Sequence, residues 1–443
     1  MFPLMPSGPA AATMATLLML LCTALDARAT EQEALNATFQ STYIWQRKAA
    51  FEAAYSGPNS LSPEQEKSYS FTATAAFGWR PWAGTEVYFD PEVAQGVPLS
   101  RLTGLGGMSN GEMARTSGAT PTFYRARLFV RQVWGLGGGQ ETIASAANQL
   151  AGVVDQRRIT LTVGNISVLD IFDANAYSHD PRTQFINWSL MTHGAYDFAA
   201  DSRGYTWGAA LEYLDGAWAV RSGRFIQPRA SNGLALDPKI FRHFGDQLEL
   251  EHRHAIAQLE GKVRVLVFRN VSVMGNYADA LAVAKANGSI PTVADVRTRQ
   301  AKIGYAVNVE QALSRDAGFF ARASWADGKT ETYAFAEIDR SLSGGFLIEG
   351  QRWARPNDRV GLALARNSLA HSHRNYLAAG GLGFFTGDGR INYRPETVGE
   401  LFYNVALGKS SHLGLNLQRI ANPAYNHDRG PVNFVSLRLH SDF

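Results

Sequence analysis

Through much of the chain every second residue is apolar. Tyr69, Phe71, Ala73, Ala75 and Phe77 alternate with Ser70, Thr72 and Thr74. Val87 and Phe89 alternate with Glu86, Tyr88 and Asp90, and Ala126, Leu128 and Val130 with Arg125, Arg127 and Arg131. The same rhythm runs from Tyr205 to Tyr213, from Ile303 to Val309 and from Leu413 to Leu417. Successive side chains of a strand point to opposite faces, so each stretch predicts a strand with one apolar and one polar side. About seventeen such stretches occur, roughly eight to twelve residues long, which is the length that crosses a bilayer at a tilt. A bacterial single-chain barrel has an even strand count, so the expectation is an all-β, 16-stranded antiparallel transmembrane barrel with short helices in its loops. The surplus candidate is expected between Thr330 and Asn367, where short connections crowd together.

The carboxy-terminal dozen residues, Val432 to Phe443, carry the pattern to the last residue. Val435, Leu437 and Leu439 fall on one face, and Phe434, Ser436, Arg438 and His440 on the other. Such a strand closes a barrel with leucines toward lipid and the basic residues toward a wet bore. Taken alone it also fits a half-buried strand of a soluble sandwich.

Turn pairs such as Asp215-Gly216, Glu260-Gly261, Asp327-Gly328 and Lys409-Ser410 predict hairpin connections. Longer irregular stretches cover 93–121, 138–157, 173–203, 228–245, 272–298 and 368–395, with helices expected at Tyr277–Ala286 and Leu369–Ala379. Trp79, Trp82, Trp134, Trp188, Trp325 and Trp353 lie beside turns, where an aromatic girdle would sit at the two membrane interfaces.

Composition changes this picture little. Mean hydropathy is −0.17, the value of a soluble protein, but alternation hides a barrel's apolar surface from any averaging window. The apolar run Met14–Leu25 followed by Ala27-Arg28-Ala29 reads as an export signal, giving a signal peptide over 1–29 and one barrel domain over 30–443. Cys22, the only cysteine, lies inside that signal, so the mature chain has no disulfide and no cysteine-ligated metal. A net charge of +3, without an aromatic-and-basic module, gives no nucleic-acid partner.

Several segments resemble one family. Gly78-Trp79-Arg80-Pro81-Trp82-Ala83-Gly84-Thr85-Glu86-Val87-Tyr88-Phe89-Asp90-Pro91-Glu92, Arg158 to Asn165, Asp173 to Tyr177, Tyr376 to Gly383 and Asn422 to Pro431 look like those of the carbohydrate-selective porins, the OprB family. The resemblance runs from about Tyr43 to Phe443 and in one order. It implies a sixteen-stranded outer-membrane channel, not an enzyme, through which small glucose-like sugars diffuse passively into the periplasm. The partners expected are small neutral sugars and outer-membrane lipid, with the chain acting as a monomer or a homo-oligomer, and no cofactor. The alternatives are a general or anion-preferring porin and, from another class, a secreted carbohydrate-binding β-protein.

A neutral sugar needs hydrogen-bonding groups that replace its water and flat surfaces for its ring. Arginine suits the first role, with five donors in a rigid plane and a charge that persists at any relevant pH. Binding must also stay weak enough for release. Arg125, Arg127, Arg131, Arg264 and Arg322 on polar strand faces, with Glu86 and Asp90 facing the same way on the strand before the first three, are the candidate pore-lining charges, and Tyr88 and Phe129 the candidate stacking rings. Two readings stand for each arginine: contact with solute, or membership of a salt-bridge ladder that stiffens the wall. Tyr88 and Phe129 equally fit as fillers beneath an inward-folded loop.

Other chemistry finds little support. His252 and His254 share a strand face, but no Gly-x-Ser-x-Gly elbow or third triad member accompanies them. Neither that pair nor His371 and His373 has a third ligand at zinc-like spacing. The glycine runs at 104–107 and 137–139 lack the lysine and helix of a phosphate loop.

Overall fold

The computed structural model describes residues 32–113 and 118–443, so the expected signal segment lies outside the described residues. Eighteen strands are present among them: β1 (Leu35–Lys48), β2 (Glu66–Trp82), β3 (Thr85–Val97), β4 (Thr122–Gly135), β5 (Gln140–Ile143), β6 (Gly152–Asp155), β7 (Arg158–Ile166), β8 (Thr206–Asp215), β9 (Trp218–Ile226), β10 (Phe244–Ile256), β11 (Leu259–Gly275), β12 (Arg297–Ala312), β13 (Ala317–Ala326), β14 (Arg340–Glu349), β15 (Arg359–Ser368), β16 (Glu396–Ala406), β17 (Ser411–Ala421) and β18 (Val432–Asp442). Sixteen form one closed antiparallel barrel. Each pairs with its neighbour in sequence, except that β4 pairs with β7 and leaves β5–β6 as a separate hairpin. Closure is made by β18 on β1, with Trp45 opposite Leu437 and Thr42 opposite His440.

The alternation predicts the faces well. On β18, Val435, Leu437 and Leu439 are exposed on the outer wall while Ser436, Arg438 and His440 are buried inside. Leu413, Leu415 and Leu417 on β17, and Tyr305 and Val307 on β12, are likewise exposed. An apolar exterior and polar interior is the pattern a bilayer selects, because lipid offers no partner to a polar group. No described helix is long and apolar enough to cross a membrane, which says nothing of the strands of a barrel.

The two ends differ. At one, tight connections join β2–β3, β8–β9, β10–β11, β12–β13 and β16–β17. At the other, the loops are long and many turn inward. The β7–β8 loop, residues 167–205, is buried through most of its length. It contains a one-turn helix, Trp188–Met191, capped by the Asn187 side chain, which accepts from the Ser189 N–H. Further helices, Tyr277–Asn287 and His371–Ala378, agree with the two expected. The first is capped by Asn276 and ends at Gly288 in a left-handed conformation that suits glycine. Two apolar clusters join inward-facing wall residues to these loops, and a third holds the two loop helices together. Trp188 stacks on Phe335 at 4.9 Å and on Phe198 at 6.1 Å.

Three local expectations are corrected. Asp327-Gly328 does not close a hairpin but opens the long inward loop to β14. The β10–β11 turn lies at Ala257 and Gln258, both with positive φ, ahead of the expected Glu260-Gly261. Trp188 is 4 % exposed and belongs to the interior, whereas Trp79, Trp82, Trp134, Trp325 and Trp353 are on the outside near strand ends.

Candidate functional site

The inner wall is built first by β3 and β4. Glu86, Tyr88, Asp90 and Glu92 point inward from β3, and Arg131, Phe129 and Arg127 stand opposite the first three. The register then slips. Asp90 faces Arg127, but Pro91 faces Arg125, so Ala126 is an extra residue on β4. Proline has no N–H for the ladder and favours such a bulge. One added residue reverses every side chain beyond it. Tyr124 therefore points in, its hydroxyl donating to Glu92, and Arg125 points out, its guanidinium 5.0 Å from the Trp207 ring on the outer wall. The expectation that Arg125 shares the inner face with Arg127 and Arg131 is overturned by this bulge.

Across this wall runs the β7–β8 loop. Its first turn presents Asp170, whose carboxylate takes Arg127 Nε and Nη2, both at 2.7 Å, and the Ser167 N–H at 3.0 Å. Burial opposes ionisation of Asp170, but the Arg127 charge and the Ser167 bond outweigh it, and its pKa lies below the ordinary value. Further on, Asp180 accepts from the Arg182 N–H at 3.0 Å and the Thr183 hydroxyl at 2.9 Å. The Arg182 Nε donates to Glu112 at 2.9 Å, joining the loop to the β3–β4 loop.

Two cavities meet here. One, of about 320 Å³, is lined by Glu92, Tyr124, Trp188, Tyr205 and Phe335 among others; the second, of about 360 Å³, by Phe129, Arg131, Asn148 and Gln149 among others. Arg127, Asp170, Asp180 and Arg182 belong to both. Two guanidiniums and two carboxylates thus stand where the cavities join, and their formal charges cancel. Aromatic faces adjoin them: Arg127 lies 5.3 Å from the Tyr205 ring, and Tyr124 is 6.1 Å from Tyr205. The second cavity is bounded by the segment around 144–150, which precedes β6 and turns into the barrel. Asn148 donates to Asp90 at 2.8 Å, its carbonyl accepts from Arg131 at 3.0 Å, and the Leu150 N–H donates to the Tyr88 hydroxyl at 3.0 Å.

The remaining candidates are held away from both cavities. Tyr88, fully buried, stacks on Phe129 at 4.8 Å and donates to Glu86, which also takes Arg80 at 2.8 Å. Arg264 bonds Glu251 at 2.8 Å and Glu310 at 3.2 Å, in a ladder with Arg221, Glu212 and Glu249 across β8 to β12. Arg322 is consumed by the loop, donating to Asp173 Oδ1 at 2.9 Å and to the carbonyls of Ser178 at 2.6 Å and Leu190 at 3.0 Å. Burial penalises the Asp173 charge, but Arg322 and neighbouring groups overcome this and bring its pKa to about 2. Of the nine candidates, only Arg127, Phe129 and Arg131 line these cavities.

Sequence reasoning missed Asp170, Asp180 and Arg182, which lie in or beside a stretch already singled out as irregular but without a period to orient them. It also missed Glu92, which shares the parity of Glu86, Tyr88 and Asp90. Among the described residues no group of three potential ligands is placed to hold a metal.

No curated protein sequence matches the chain. Among solved structures, the high-pH structure of OprB from Pseudomonas putida is similar with a TM-score of 0.72 at 15 % identity, covering 98 % of this chain and 97 % of that one. The outer membrane channel DcaP of Acinetobacter baumannii is similar with a TM-score of 0.52 at 11 % identity, covering 94 % and 100 %. At such identity the likeness shows a shared fold alone. The profile of the carbohydrate-selective porin, OprB family, matches residues 61–443, and the chain belongs to that family, as a bacterial outer-membrane channel rather than an enzyme.

Proposed function

We propose that small neutral sugars of the glucose class diffuse passively through the bore, selected where Arg127, Asp170, Asp180 and Arg182 meet. The observation that carries this reading is the position of these four groups on the walls of both cavities. A sugar hydroxyl both donates and accepts. Arginine supplies the donors and aspartate the acceptors, and the balance of charge removes the attraction for anions that a bare arginine cluster would exert. Tyr124 and Tyr205 offer flat faces for the ring on one side.

Contacts with these groups replace water and are of similar strength to those they displace, so residence is short, as flux requires. Nothing in this route calls for an energy source. The test is swelling of liposomes carrying the protein, with mono- and disaccharides beside amino acids and small organic anions of similar size. Faster entry of sugars is expected, together with saturable block of ion current by glucose. Equal rates for all solutes would reduce the protein to a general porin, and faster entry of anions would make it anion-preferring.

A further inference from the structure

The apolar outer wall is interrupted by charge close to the long-loop rim. Arg224 of β9, Asp246 of β10 and Arg269 of β11 are direct cross-strand partners in a single row. Asp246 takes Arg224 Nε at 2.7 Å and Nη2 at 3.0 Å, and Arg269 Nη2 at 2.8 Å. One carboxylate between two guanidiniums leaves a unit of positive charge, and Arg269 keeps 49 % of its side chain exposed. Ring faces support the cations: Arg224 lies 4.0 Å and Arg269 5.4 Å from the Phe244 centroid, and Phe241 beside them is 83 % exposed. Arg299 of β12 adds another exposed cation nearby, its Nε donating to the Arg242 carbonyl at 3.2 Å.

Two residues further down the same strands, Leu211, Ser222, Leu248 and Val267 form the next outward row. Short Ser222 between taller Leu211 and Leu248, and short Ala209 beside Arg224, leave a groove of about 530 Å³ on this wall, with Arg224, Asp246 and Arg269 at its lip. An ion pair needs only one arginine per carboxylate. The second is in excess on a surface that faces lipid, where charge is tolerated only near the interface.

We propose that this row binds the phosphate of an anionic glycolipid of the outer leaflet, of the lipid A type, with one acyl chain in the groove. Guanidiniums grip phosphate through paired N–H donors, and the groove below continues the contact with methylene groups. A second copy of the chain fits poorly, because a two-fold contact here would bring like-charged rows together.

The experiment is native mass spectrometry of the folded protein in detergent, with diphosphoryl lipid A, its dephosphorylated form and inorganic phosphate as probes. Retention of diphosphoryl lipid A is expected, falling about tenfold in Arg224→Gln/Asp246→Asn/Arg269→Gln as charge-assisted bonds are lost. That variant replaces the carboxylate together with its partners, and folded gel migration and sugar flux serve as its controls. Equal retention by the variant, or equal retention of the dephosphorylated lipid, overturns the proposal. Displacement of the lipid by millimolar inorganic phosphate would reduce the site to a phosphate site, and a dimer without lipid would assign the face to self-association.

Discussion

Arg127 and Arg322 are the same side chain on the inner wall of one barrel, and the β7–β8 loop engages them to different degrees. Arg127 keeps 14 % of its side chain exposed, and its bonds go to two carboxylates, one of them long at 3.4 Å. Donors remain for a passing hydroxyl. Arg322 is 1 % exposed, and its donors go to Asp173 and to three backbone carbonyls of the β7–β8 loop. Inward-facing charge in a barrel is therefore not evidence of contact with solute. What decides is how many of the donors the loop has already filled.

The largest way to break this contrast is Arg322→Met. It leaves Asp173 buried without its guanidinium, a loss of about 3–5 kcal/mol for a buried pair. The loop is then expected to leave the bore, so single-channel conductance rises and block by sugar disappears. Arg322→Met with Asp173→Asn removes both charges and should recover much of the lost stability, measured as the temperature at which the folded band is lost on a gel. A double variant no more stable than the single one would show that the pair is not the anchor.

Arg127→Ala should do the reverse. Asp90 keeps its bond from Asn148 and Asp170 keeps the Ser167 N–H, so heat resistance falls less than in Arg322→Met, while the glucose concentration for half-maximal block of ion current rises about tenfold with the lost charged donor. Unchanged block would place Arg127 among the wall supports beside Arg264.

The difference between the two arginines was not legible in the sequence. Period-two polarity reports which face a residue occupies, and on that it served well: Leu413 to Leu417, Tyr305 to Val309 and the whole of β18 lie as their alternation requires. It carries no information on what folds over the face. Asp173, Ser178 and Leu190 approach Arg322 from 132 to 149 residues away in sequence, through a loop with no period. The same limit hid Asp170, Asp180 and Arg182. Arg125 failed for another reason: a single unpaired residue opposite Pro91 reversed the strand's parity, and the proline was the available sign of it.

Acid sharpens the comparison, because histidine lies at the anchored side. His193 Nε2 is 3.2 Å from Asp173. Burial lowers its pKa to about 4 from 6.5, with Asp173 opposing only in part. The imidazole is thus neutral in the folded loop and takes up a proton more readily when the loop is released. Between about pH 6.5 and 4 the released state binds more protons, so the loop's stability falls as pH falls through that window. Asp173, at about 2, stays ionised in the folded loop throughout, and its protonation in the released state adds to the slope only at the acid end of the window. Open-channel current noise is expected to grow from pH 6.5 to 4.5 and to grow less in His193→Gln. His179, also lowered by burial, is expected to account for the remainder, checked with His179→Gln. A His193→Gln channel with the parent's full pH dependence would point to other groups.

Arg125→Ala should have the smallest effect of all, and its size tests the bulge itself. On the outer wall its guanidinium covers Trp207 at 5.0 Å, a contact worth about 0.5–1 kcal/mol at an exposed site. Sugar block, anion preference and conductance should all remain at the parent's values, with only a slight loss of heat resistance. Arg127→Ala, two residues away, alters block, so the pair of variants reads out which face each side chain occupies. If Arg125→Ala instead weakened block as strongly as Arg127→Ala, the two would share the bore, Ala126 would not be the extra residue, and the register of β4 against β3 would have to run without a slip at Pro91.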